Sequence, residues 1–278
     1  MAEAPAHSGL LNTLALHVDD PGGSGRPVVL IHGWPMSGQA WALQVPALTD
    51  AGLRPITYDR RGFGRSGTDF DAYDYDTLAD DLAAVLTELN LTDVTLVGFS
   101  MGGGEVARYM ARHGTERLAS VVFAAAVPPY LLHGDDNPDG PLPPEAAEGS
   151  AAALTEDREL FFDGFTKAFF TAGGELAVTD SQRQEALALC RESDEQAALA
   201  CQHAFSTTDF RDDLTKIDVP TLIIHGDADQ IVPFEGSGKR THEAVTGSRV
   251  VLISGGPHGL NVSHHREFNE ALVDFCRS

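Results

Sequence analysis

Short apolar runs alternate with amphipathic stretches along most of the chain. Pro27–His32 is a continuous apolar run, typical of a strand buried on both faces of a sheet. Thr77–Leu89 carries its apolar residues at the spacing of one helix face. Because alternating strands and helices place helices on both faces of a parallel sheet, the pattern predicts an α/β fold with a mostly parallel central sheet. The other predicted strands are Asn12–Val18, Arg54–Tyr58, Val94–Phe99, Leu118–Ala126, Pro220–His225 and Arg249–Ile253, and the other predicted helices are Gln39–Ala51, Met101–His113, Ser237–Val245 and Arg266–Arg277.

The alternation stops between residues 127 and 213. Prolines cluster at the start of this segment, and Ala-rich and Phe-rich helical stretches follow without any strand pattern. The alternation resumes at Pro220. We therefore predict an α/β core formed by residues 1–126 and 214–278, with residues 127–213 inserted as a helical cap after the sixth strand.

The charge of the chain argues against some classes of partner. Its 278 residues include 41 Asp and Glu but only 19 Lys and Arg, which gives a formal net charge of -22. Such a surface repels nucleic-acid phosphates and anionic lipids, so we expect neither nucleic acid nor a membrane as a partner. A small molecule is the expected ligand.

The cysteines and the N-terminus indicate a compartment. The chain has three cysteines, an odd number without Cys-x-x-Cys spacing, and we expect free thiols as in reducing compartments. The first residues have neither the basic nor the apolar part of a secretion signal, and no apolar run approaches the roughly 20 residues that span a bilayer. A cytoplasmic location is therefore expected.

A Gly-x-Ser-x-Gly sequence at residues 98–102 lies between a predicted strand and a predicted helix. The motif alone is weak, but a sharp strand-to-helix turn strains the serine backbone and lifts its Oγ out of the sheet. The helix start also favours a developing anion. We predict Ser100 as a nucleophile; the alternative is a glycine turn in an ordinary αβ unit.

The loop His32–Pro35 follows an earlier predicted strand. An oxyanion hole needs two N–H donors aimed at one point, and beside such a serine turn they come from the residue after the nucleophile and from an earlier loop. We therefore expect the donors at Met101 and Trp34, with Pro35 favouring an extended backbone at Trp34. The alternative leaves Trp34 as a core aromatic residue in a tight turn.

Two carboxylates, Asp227 and Asp229, follow the strand Pro220–His225, at the sheet edge where site residues belong. We choose Asp229 as the orienting acid because it lies further into the loop, and expect Asp227 to form a turn. Alternatively, backbone N–H groups alone satisfy Asp229. His258 follows the last strand, in the chain order Ser, Asp, His, and is the predicted base.

The cap is expected to cover the carboxyl edge of the sheet with aromatic side chains. Phe162, Phe165 and Phe205 are candidates for the substrate pocket because they lie in amphipathic stretches, and Pro35 and Ile231 join them from the site loops. The alternative is that each phenylalanine packs only within the cap.

On these motifs the chain resembles the cofactor-independent haloperoxidases, also described as perhydrolases or aryl esterases, of the α/β-hydrolase superfamily. The resemblance implies a Ser100, Asp229 and His258 triad, oxyanion donors at Trp34 and Met101, and no metal, haem or other cofactor. The run Asp59–Gly62 is expected to brace the loop near the site. The cap departs from the pattern between about residues 139 and 191, which leaves substrate size and homo-oligomer formation open. The most specific segments are residues 32–35, 58–66, 73–77 and 97–109, and residues 126–129, 204–210, 217–220 and 225–233 continue the resemblance.

The implied reaction is acyl transfer from an ester or carboxylic acid. Water would hydrolyse the acyl-enzyme, and hydrogen peroxide would convert it to a peracid that oxidises halide. A lactamase or amidase and a C–C hydrolase or lyase would use the same triad. A non-catalytic small-molecule receptor with this fold is the alternative from a different functional class.

Overall fold

The computed structural model describes residues 4–11 and 14–278. Its strands are β1 (His7–Leu10), β2 (His17–Asp20), β3 (Pro27–Ile31), β4 (Arg54–Tyr58), β5 (Val94–Phe99), β6 (Leu118–Ala124), β7 (Thr171–Ala172), β8 (Glu175–Leu176), β9 (Thr221–Gly226) and β10 (Arg249–Ile253). Its helices are α1 (Gln44–Asp50), α2 (Tyr75–Glu88), α3 (Met101–His113), α4 (Pro144–Glu156), α5 (Arg158–Phe170), α6 (Asp180–Arg191), α7 (Glu195–Thr207), α8 (Arg211–Leu214), α9 (Gly238–Ala244), α10 (Leu260–Ser263) and α11 (His265–Arg277), with short 3₁₀ helices at Gly38–Trp41 and Phe234–Gly236.

The described residues form one large sheet of eight strands in the order β1-β2-β4-β3-β5-β6-β9-β10. The pairs β1/β2 and β2/β4 are antiparallel, and every other pair is parallel. The prediction of a mostly parallel sheet is therefore confirmed. Because the central strands run in one direction, the loops after β3, β5, β9 and β10 all leave the sheet at its carboxyl edge.

Two elements of the core differ from the expected ones. The helix predicted over Gln39–Ala51 is split into a 3₁₀ helix and α1, since Pro46 has no N–H to continue an α-helix from the preceding turn. Of the strand predicted at Asn12–Val18, Asn12 and Thr13 lie outside the described residues, and the pairing begins at His17 in β2. Strand β1 was not expected at all.

Residues 127–213, here called the cap segment, leave the sheet after β6 and return to it at β9, the neighbour of β6. The segment contains α4 to α7 and the first three residues of α8. The expectation that it has no strand was wrong in detail, because β7 and β8 form a two-residue hairpin. Gly173 and Gly174 supply the positive φ angles, +59° and +88°, that such a tight turn requires. The division into core and cap remains a prediction.

No helix in the described parts of the chain combines the length and the apolar character needed to cross a membrane.

Candidate active site

Ser100 occupies the turn between β5 and α3 with φ +54° and ψ -118°, a strained conformation for a residue with a side chain. Its N–H donates to the carbonyl of Ala124 at 2.9 Å, and its carbonyl accepts from the N–H of Gly103 at 3.0 Å. A Cβ added at Gly98 would lie 2.4 Å from the carbonyl oxygen of Gly102. The close passage of strand and helix therefore requires glycine and holds the serine in its strained form.

The structure brings Ser100, His258 and Asp229 together at this edge of the sheet. His258 Nε2 lies 2.9 Å from Ser100 Oγ, and His258 Nδ1 lies 2.7 Å from Asp229 Oδ2. All three side chains are buried. Because a carboxylate can only accept, Nδ1 carries the proton, which leaves Nε2 free to accept from the serine hydroxyl.

The carboxylate of Asp229 is held on both oxygens. Oδ1 accepts from the N–H groups of Ile231 and Val232 at 2.9 and 2.8 Å, while Oδ2 faces His258 and lies 3.4 Å from His225 Nε2. Burial opposes ionisation, but the interactions with the two histidines outweigh it and keep the pKa of Asp229 well below its usual range. The residue is therefore an anion that backbone groups and His258 satisfy together.

The loops that carry the acid and the base are locked to each other. Asp227 Oδ1 accepts from the N–H of Gly255 at 2.6 Å, and the N–H of Ala228 donates to the carbonyl of Gly256 at 3.1 Å. A Cβ at Gly226 would lie 2.0 Å from that same carbonyl oxygen. Asp227 thus joins the two loops, whereas Asp229 reaches the histidine.

The two expected oxyanion donors lie beside the serine. Met101 is the first residue of α3, and a Cβ at Gly33, next to Trp34, would lie 3.2 Å from Ser100 Cβ. Among the hydrogen bonds of residues 4–11 and 14–278, the backbone N–H groups of Trp34 and Met101 have no protein acceptor. Two free N–H groups next to a nucleophile are what a developing oxyanion needs.

A buried ionic network braces the Trp34 loop from behind. Arg60 Nε donates to Glu105 at 2.5 Å, Arg60 Nη2 donates to the carbonyl of His32 at 2.7 Å, and Tyr58 donates to Glu105 at 2.6 Å. The N–H of Arg60 donates to His32 Nε2, so His32 Nδ1 carries the proton and donates to the carbonyl of Gly33 at 2.9 Å. Burial and the charge of Arg60 lower the pKa of His32 to about 3.

An open cleft of about 1000 Å³ leads to Ser100 and His258. One side is formed by the loops of the core, and the other by α4, α5 and α7 of the cap segment. Trp34 stands between them, with its Nε1 donating to the carbonyl of Ala198 on α7 at 2.9 Å. The ring centroids of four phenylalanines lie 5.3 to 6.2 Å from that of Trp34: Phe161, Phe162, Phe165 and Phe205.

The predicted pocket residues divide into two groups. Phe165, Phe205 and Ile231 line the cleft, but Phe162 and Pro35 do not, since both are buried behind its wall. The residues of α5 that face the site are four positions apart: Phe161, Phe165 and Phe169. Phe162 lies one position off this stripe, so its prediction as a pocket residue was wrong.

Sequence reasoning missed the residues that flank His258. The rings of Phe169 and Phe99 lie 5.2 and 5.3 Å from that of His258, and the N–H of Gly259 donates to the carbonyl of Phe169 at 2.8 Å. The four-residue spacing on α5 was the available indication for Phe169. The described residues contain no group of three or more His, Cys, Asp or Glu side chains placed to hold a metal ion.

A family model described as alpha/beta hydrolase fold matches residues 26–264. The chain is 43% identical over 267 residues to a putative non-heme chloroperoxidase of Synechocystis sp., covering 95% of this chain and 96% of that protein. It is 37% identical to the bifunctional esterase/perhydrolase DCH of Acinetobacter calcoaceticus, covering 93% and 95%. Among solved structures, it is similar to a bromoperoxidase from Bacillus anthracis, with a TM-score of 0.95, 51% identity, and 99% and 100% of the two chains covered.

Proposed function

This chain belongs to the α/β-hydrolase family, and from that premise we propose that it is a serine esterase whose acyl-enzyme also reacts with hydrogen peroxide to form a peracid. The proposal rests on the hydrogen bonds that run from Asp229 through His258 to Ser100 at the floor of the cleft. The relatives named as haloperoxidases and as an esterase/perhydrolase support the peroxide reaction.

In the first half-reaction, Ser100 Oγ attacks the ester carbonyl while His258 Nε2 takes the hydroxyl proton. Asp229 holds His258 in the required tautomer and stabilises the imidazolium. The negative charge that develops on the carbonyl oxygen is accepted by the N–H groups of Trp34 and Met101. When the intermediate collapses, His258 returns the proton to the departing alkoxide, and an alcohol leaves.

In the second half-reaction, water or hydrogen peroxide attacks the acyl-enzyme, and His258 takes a proton from it. Collapse of the new intermediate breaks the bond to Ser100 Oγ, which regains its proton from His258. Water yields a carboxylic acid, and hydrogen peroxide yields a peracid. The peracid then oxidises bromide to hypobromous acid in solution and is itself reduced to the carboxylic acid.

The alternatives receive less support. A lactamase, an amidase or a C–C hydrolase would use the same triad, but none of the relatives named above is described as one. A non-catalytic receptor has no need of a nucleophile in a strained turn that is hydrogen-bonded to a base.

The test is hydrolysis of p-nitrophenyl acetate with and without hydrogen peroxide, with bromination of phenol red as the peracid assay. We expect ester hydrolysis in both conditions and bromide-dependent bromination above the enzyme-free background. Absence of hydrolysis would overturn the whole proposal. Hydrolysis without bromination would leave an esterase and remove the perhydrolase.

We also propose a cytoplasmic enzyme, which the three free and buried cysteines support. Burial raises the pKa of Cys201 and Cys276 to about 12, which disfavours their thiolate forms. Cell fractionation tests the location, and light scattering tests whether copies of the chain self-associate.

A further inference from the structure

The wall that α4 contributes to the cleft consists of small side chains. Ala146, Ala147, Ser150 and Ala153 recur at helical spacing along one face of α4, and all of them line the cleft. Helix α4 packs on α5 and α7, whose phenylalanine rings surround Trp34. The cleft, at about 1000 Å³, lies at the upper end of the range of about 300 to 1,000 Å³ for small-molecule sites. An acetyl ester would fill only a small part of it.

The charge of the cleft selects against anions. The described residues that line it include Glu156 and Asp157 but neither lysine nor arginine. The chain as a whole, including these two residues, carries a formal net charge of -22. A substrate carboxylate would therefore be repelled at the mouth and find no lysine or arginine inside. An uncharged ester meets neither obstacle.

One polar contact on this wall joins α4 to α7. Gln202 lines the cleft from α7 and is 4% exposed, and its amide nitrogen donates to Ser150 Oγ at 2.7 Å. Its amide oxygen is buried, without a hydrogen-bond partner in the described residues, and does not open onto the cleft. The bond to Ser150 holds α4 against α7, and the other small residues of the α4 wall are alanines.

We propose that the α4 wall forms the specificity region of the cleft. It takes an uncharged ester whose larger group is bulky and mostly apolar. This inference rests on the proposed function, because the region acts on an ester bound at Ser100.

The size of the substrate is tested with p-nitrophenyl acetate and p-nitrophenyl 4-phenylbutanoate. Ala147→Phe should lower kcat/KM for the phenylbutanoate at least tenfold and for the acetate less than twofold. Ala152→Phe is the matched control, since Ala152 lies on the same helix but outside the cleft wall, and it should change neither value. Ala146→Phe, at an exposed position, repeats the test if Ala147→Phe does not fold.

The charge is tested with the mono-p-nitrophenyl ester of glutaric acid, for which kcat/KM should be at least tenfold below that of p-nitrophenyl butanoate. The double variant Glu156→Gln, Asp157→Asn should narrow that gap.

The outcomes separate the two proposals. Wild-type protein that does not hydrolyse p-nitrophenyl acetate overturns the proposed function. Hydrolysis of the acetate, with Ala147→Phe and Ala146→Phe acting equally on both esters or on neither, overturns the α4 wall as a specificity region. Equal kcat/KM values for the glutaric acid monoester and for p-nitrophenyl butanoate overturn the selection against anions.

Discussion

The floor and the wall of the cleft are built by opposite means. The floor consists of core loops that hydrogen-bond one another, in which glycines allow backbones to touch and the side chains are buried. The wall consists of cap helices with small, partly exposed side chains and ion pairs that face water. Proton transfer needs atoms fixed to within tenths of an ångström, whereas substrate choice needs only the right space. The protein therefore concentrates its rigidity where bonds are made and leaves the wall free to vary.

The largest expected difference between floor and wall is in the effects on kcat of replacing two serines that line the same cleft. Ser100 lies on the floor and Ser206 on the α7 wall. Ser100→Ala should lower kcat for p-nitrophenyl acetate by about 10⁴- to 10⁶-fold, because it removes the nucleophile. Ser206→Ala should change it only a few-fold. Circular dichroism and thermal unfolding check that both variants fold, and comparable losses would show that floor and wall do not differ in role.

A second pair of variants sharpens the comparison within the floor. Asp229→Asn should lower kcat by about 10⁴-fold, because an amide cannot hold His258 in the tautomer that accepts the serine proton. Asp227→Asn should cost less than tenfold, since Asp227 bonds only the backbone of the neighbouring loop. The measurement is kcat at saturating p-nitrophenyl acetate. The reverse order would mean that Asp227 is the orienting acid.

Most of the floor could be predicted from the sequence. Buried parallel strands have long apolar runs, and the Trp34 loop, the serine turn and the Asp loop each follow such a run. The His loop follows β10, an edge strand that is apolar in sequence but only partly buried. These patterns are local, and parallel topology brings their ends to one edge. Strand β1 could not be predicted, because its burial alternates only weakly and its pairing depends on β2.

The wall was less predictable, for a physical reason. The cap helices are amphipathic on more than one side, because they face the core, each other and the cleft. Phe162 and Phe161 are adjacent in sequence, yet only Phe161 reaches the cleft. Choosing between them requires the rotation of α5, which is set by contacts such as the stacking of Arg158 on Phe162. The four-residue spacing of Phe161, Phe165 and Phe169 indicates one stripe of α5, but only those contacts decide that this stripe faces the cleft.

A third prediction compares ion pairs of the two regions. Glu105 is fully buried against Arg60 behind the floor, whereas Glu159 pairs with Arg191 on the exposed face of the cap. Glu105→Gln should lower the free energy of unfolding by about 3 to 5 kcal/mol, since it leaves a buried guanidinium without its counter-charge. Glu159→Gln should have no measurable effect, because water screens that pair. Urea unfolding of both variants gives the comparison, and equal effects would contradict it.

The smallest predicted effect concerns pH and the bracing of the floor. The folded protein holds His32 neutral, with a pKa of about 3, against a value of 6.5 for a solvated histidine. Below pH 6.5 the unfolded chain therefore binds a proton that the folded chain does not, and acidification favours unfolding. The contribution of neutral His32 to the free energy of unfolding is fully present above pH 6.5. It is lost progressively as the pH falls towards 3. Between pH 6.5 and 4.5 it amounts to about 2 kcal/mol.

The free energy of unfolding in urea, measured at intervals between pH 6.5 and 4.5, tests this slope. His32→Gln removes the titrating group, so its free energy of unfolding should fall by about 2 kcal/mol less than that of the wild type between pH 6.5 and 4.5. Any change in absolute stability shifts the whole curve and leaves this difference in slope unaffected. His203→Gln is the control, because His203 is exposed on α7 and solvated in both states; it should reproduce the wild-type slope. A parallel curve for His32→Gln would mean that the brace behind Trp34 tolerates a charged imidazole. In that case the floor would owe its rigidity to the glycine contacts and the loop hydrogen bonds rather than to the buried network around Arg60.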